Sequence, residues 1–89
     1  MPTAGEFREQ LLEVFRVAER EHQGTVTVAA GHLHHAVGGY PNKTHRMPVC
    51  CEVMLRAMRK GDTILYQPLK GKGARLTIRY LLPRSRVKN

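Results

Sequence analysis

Residues 43–79, KTHRMPVCCEVMLRAMRKGDTILYQPLKGKGARLTIR, decide how this chain folds. Pro48 suits the first turn of a helix, where its missing N–H would have had no intrahelical partner. Behind it, Val49, Cys50, Val53, Met54, Ala57 and Met58 form an inward stripe, while Glu52, Arg56 and Arg59 stay outside. Gly61 offers a left-handed stop, so the spacing predicts a helix over 48–59. Thr63 to Tyr66 then reads as a strand. In a second strand, ending at Leu82, Leu76, Ile78 and Tyr80 alternate with Arg75, Thr77 and Arg79. The two pair as a hairpin around 67–74, whose tip is Lys70-Gly71-Lys72-Gly73-Ala74-Arg75.

Upstream, Phe7, Leu11, Val14, Phe15 and Ala18 recur at three- and four-residue steps between Glu6 and Glu21, which predicts an amphipathic helix ended by Gly24. Its acids suit scaffolding better than phosphate contact. Thr25-Val26-Thr27 has the β-branched content of a very short strand. Thr27 also serves as N-cap for a helix through Val28, Ala29, Ala30, Leu33, Ala36 and Val37, stopped at Gly38-Gly39. Tyr40 to Arg46 is a polar loop. These elements make one domain over 6–83, between a flexible N-terminus (1–5) and a basic, flexible tail (84–89).

Composition bounds the reading further. At 89 residues the chain supports one core, and about 60% of its unfolded surface can be buried. No apolar run approaches the roughly 18 residues of a membrane span, and Met1 to Glu6 lacks the basic-then-apolar layout of a signal peptide. The expected location is therefore cytoplasmic. Cys50 and Cys51 are adjacent and cannot cross-link distant parts of the fold. The net charge of +8 is unevenly placed: residues 1–22 hold five acids and three bases, so the remainder carries +10. Such segregation points to a polyanionic partner.

The order helix, short strand, helix, glycine turn, helix, strand, basic loop, strand resembles the winged helix-turn-helix superfamily over about residues 6–82. The likeness rests on Thr27 to Gly38 as a helix running into a glycine turn, on Pro48 to Arg59 as the next helix and on the hairpin as the wing. The connection from Gly38 to Met47 is longer than the turn of the compact motif. The resemblance implies an α+β domain of three helices, a short first strand and a wing, binding double-stranded DNA with its third helix in the major groove. It puts Lys43, Thr44, His45, Arg46, Glu52 and Arg56 on the reading face, with Arg46 and Arg56 suited to bidentate contact with guanine. Lys70, Lys72 and Arg75 of the wing, together with Arg79, then meet the phosphate backbone, and Gly71 and Gly73 allow close approach. The implied role is a small bacterial-type transcriptional regulator or mobile-element accessory factor, nucleoid-associated when bound and open to homodimerisation through its first helix. Two alternatives use the same surface: an RNA-binding winged helix stacking bases on Tyr40 or Tyr66, and a protein interaction module.

Other chemistry finds little support. His32, His34, His35, His45, Cys50 and Cys51 are all able to bind zinc, yet their spacing repeats no strong zinc pattern. His32 and His35 share a helical face at i and i+3, whereas adjacent helical cysteines point about 100° apart. No metal or cofactor is expected, and the thiols are read as filling apolar space between helices. Ser85 is the only serine, no glycine-rich phosphate loop follows a strand, and a Cys50–His45 pairing lacks a pocket. The chain is not expected to be an enzyme.

Overall fold

α1 (Ala4–Arg20) starts on a reciprocal cap: the Thr3 hydroxyl accepts from the Glu6 N–H at 3.1 Å, and the Glu6 carboxylate accepts from the Thr3 N–H at 2.8 Å. The expected stripe lies inside, with Phe7, Leu11, Phe15 and Ala18 buried. Its end differs from expectation. The left-handed residue is His22 (φ 61°), not Gly24, and the His22 and Gln23 N–H groups return to the Glu19 and Ala18 carbonyls at 2.9 and 3.0 Å. The computed structural model describes residues 2–38, 46–69 and 73–84.

β1 (Thr25–Ala29) is longer than the three-residue strand expected, and α2 (Ala30–Val37) begins correspondingly later. Thr27 is a strand residue, not an N-cap; Ala29 takes that position without a side-chain bond. The reason lies across the sheet. The Ala30 and Gly31 N–H groups donate to the Leu76 and Ala74 carbonyls, both at 2.8 Å, so the hairpin backbone caps α2 and no hydroxyl is required. Gly38 (φ 115°) ends α2 as expected.

α3 (Met47–Arg56) is shorter than the 48–59 helix expected. Its final carbonyls find other donors: the Tyr80 hydroxyl bonds to Met54 O at 2.8 Å, and the Arg84 guanidinium bonds to Ala57 O. Gly61 (φ 96°) lies in the following turn, where a Cβ would lie 2.5 Å from Leu81 Cδ1.

β2 (Thr63–Tyr66) and β3 (Thr77–Leu81) complete a three-stranded antiparallel sheet in the order β1-β3-β2. The fold is α+β, three helices against one sheet. Phe7, Leu11 and Phe15 of α1, Leu33 of α2 and Cys50, Cys51 and Met54 of α3 pack with Leu76, Ile78 and Tyr80 in the core. Opposite partners share a face, so Thr27, Arg79 and Thr63 form one outer row, and Ala29, Thr77 and Tyr66 form the next row on the same face.

The ladder between β2 and β3 is irregular between Ile64 and Tyr66. Without that extra residue Tyr66 would oppose Leu76 and turn inward; with it, Tyr66 opposes Thr77 and is 49% exposed.

Arg84 corrects a further expectation. Read as the start of a mobile tail, it is instead packed, with 6% of its side chain exposed and its guanidinium 4.9 Å from the Phe15 ring centroid and 5.1 Å from that of Tyr80. Its N–H donates to the Glu19 carboxylate at 2.6 Å. Among the described residues, no helix is long and apolar enough to cross a membrane.

Candidate nucleic-acid interface

Of the residues assigned to DNA contact, Lys43, Thr44, His45, Lys70 and Lys72 lie outside the described residues. Arg46, Arg56, Arg75 and Arg79 occupy two parts of the fold. Arg46 is the N-cap of α3 and Arg56 its last residue, so at 1.5 Å per residue their backbones stand roughly 15 Å apart.

Arg46 is positioned by α2: its N–H donates to His34 Nε2 at 2.7 Å. The buried His34 ring stands edge-on to Phe7, 4.8 Å between centroids, so one imidazole ties α1, α2 and the start of α3 together. This removes His34 from the side chains accessible to a ligand. Arg56 is exposed and pairs with Glu52 one turn back at 2.8 Å. An exposed i,i+4 pair is worth only about 0.3–0.5 kcal/mol, so the pairing with Glu52 is easily exchanged.

Arg79 lies on the solvent face of the central strand between Thr27 and Thr63. Arg75 precedes β3, in the segment whose Ala74 and Leu76 carbonyls are held by the first N–H groups of α2. Neither arginine pairs with an acid among the described residues. The two acids that follow residue 22 are already engaged. Glu52 meets Arg56, and the fully buried Asp62 side chain meets Arg84 at 2.9 Å. Burial alone would raise the Asp62 pKa, but the Leu81 and Arg59 N–H groups and the Arg84 guanidinium together outweigh it and hold the carboxyl below its usual range.

An open groove of about 530 Å³ lies where α2 meets the hairpin. His32 and His35 reach it from α2, Tyr66, Arg75 and Thr77 from the hairpin. The i,i+3 spacing already placed the two histidines together; their meeting with Tyr66 and Arg75 depends on tertiary packing and on the irregular ladder, which no local pattern announced.

No family model, curated protein or solved structure matches the chain.

The thiols do not add a reactive centre. Both are buried; Cys50 donates to Ala30 O at 3.5 Å and Cys51 to Gly73 O at 3.4 Å. Burial, and after it the neighbouring Cys51, pushes the Cys50 thiol up to about 12, which keeps it protonated and a poor nucleophile or ligand at neutral pH. Among the described residues, no three His, Cys, Asp or Glu side chains gather where an ion could sit.

Proposed function

We propose that the chain is a winged helix-turn-helix domain that binds double-stranded DNA, α3 entering the major groove and the basic hairpin lying along the backbone, with no catalytic role. The observation that carries the reading is the charge distribution. The segment after residue 22 carries a net +10, its two acids are held in ion pairs, and Arg75 and Arg79 remain on the sheet side without an acidic partner among the described residues. The element order and the β1-β3-β2 sheet support the fold assignment. A small transcriptional regulator or mobile-element accessory factor is the role this suits, with the exposed Leu12 and Val17 of α1 as the surface for a second copy.

Contact with phosphates makes affinity fall with salt, the log–log slope growing by about 0.9 for each phosphate neutralised. Fluorescence anisotropy with a blunt, mixed-sequence duplex should therefore show steep weakening from low to moderate salt. The Lys70→Glu, Lys72→Glu, Arg75→Glu triple variant should reduce the slope by roughly three. Binding indifferent to salt, or a slope the variant leaves unchanged, overturns the reading.

A further inference from the structure

We propose that the groove between α2 and the β2–β3 hairpin receives one unpaired nucleotide at the edge of a bound duplex, its base against Tyr66 and its phosphate against Arg75. The inference rests on the nucleic-acid reading above and adds a second ligand geometry to it, an unpaired base beside the helix.

Size and shape come first. A volume of about 530 Å³ falls within the roughly 300–1,000 Å³ of sites that hold small organic ligands, enough for one nucleotide and far short of a duplex. Small residues, Ala29, Gly31 and Ala74, line it and leave room for a flat ring. At Gly31 the fit is close: a Cβ would lie 3.2 Å from the Ala74 carbonyl oxygen.

Chemistry narrows the occupant. Arg75 brings a cation, His32 and His35 bring nitrogen donors or acceptors, and among the described residues no acid lines the groove. A phosphate is accommodated where a carboxylate-bearing wall would have repelled it. Tyr66 supplies a half-exposed aromatic surface, and bases of any identity stack on such rings. An apolar peptide would want deep, closed hydrophobic pockets in place of this open groove with a cation in its wall.

The ladder irregularity gives the second, independent observation. Tyr66 faces the groove only because the extra residue shifts it from opposite Leu76 to opposite Thr77. A bulge that turns a large aromatic out of a small core exposes apolar surface, and its return is a platform beside the cation.

The test compares anisotropy titrations of one mixed-sequence duplex, blunt or carrying a few unpaired thymidines, with wild type, Tyr66→Ala and Tyr66→Phe. One stacked base is expected to favour the overhang about tenfold. That preference should vanish in Tyr66→Ala and persist in Tyr66→Phe, with circular dichroism confirming that both variants fold. Equal affinity for blunt and overhanging duplex in wild type, or a preference that survives Tyr66→Ala, overturns the proposal. The two failures are distinguishable: salt-dependent binding of the blunt duplex without an overhang preference removes only the groove, whereas absence of binding to either duplex removes both readings.

Discussion

At Arg84, α1, the end of α3, the start of β2 and the exit of β3 meet on one side chain. Its guanidinium bonds to Asp62 and Ala57 O and lies near the rings of Phe15 and Tyr80, while its N–H holds Glu19. Near the C-terminal end of α3, that positive charge also complements the helix dipole. Removing one member of a buried pair strands the other, which costs about 3–5 kcal/mol. Arg84→Ala should lower the urea midpoint accordingly, and a loss below 1 kcal/mol would show that the pair is dispensable. Asp62 also sets an acid limit. Its folded pKa is depressed, so its contribution is complete above the unfolded aspartate value, about 3.9, and is lost as pH falls from there through the lower folded value. Stability of Asp62→Asn, lower at neutral pH, should therefore vary less with pH across that acid window; an unchanged acid limb would contradict the assignment.

Between elements, boundaries decide more than propensities. The α1 terminus places a histidine, His22, in the left-handed region that glycine occupies freely. His22→Gly should stabilise the domain by about 1 kcal/mol, read as a rise of about 4–8 °C in Tm for a domain this size; no rise would mean the histidine makes a compensating contact. The stripe of Phe7, Leu11, Phe15 and Ala18 was legible because a helix face repeats locally, and the alternation of Leu76, Ile78 and Tyr80 was legible for the same reason at period two. The division between β1 and α2 was not, since Val28 and Ala29 suit either element and were drawn into the sheet by β3. The end of α3 was hidden because its donors, Tyr80 and Arg84, come from far along the chain. Of the site, Arg75 and Arg79 were visible as cations on an alternating strand, while the place of Tyr66 depended on a register shift that composition does not encode.

Across the whole molecule, Cys50 and Cys51 report on the integrity of the core. Both are buried where helices and sheet meet, so alkylation in native buffer requires the core to open. Mass spectrometry after pulses of iodoacetamide across a urea series should show both thiols modified together along the global unfolding curve; rapid labelling of either in the absence of urea would contradict the packing. The sheet order has a consequence in time. β3, the central strand, is the last of the three to be synthesised, and neither β1 nor β2 has a partner strand until it arrives. Between the synthesis of residue 66 and that of residue 77, the sheet exists only as two separated edges, and the domain closes in one late event when its middle is delivered.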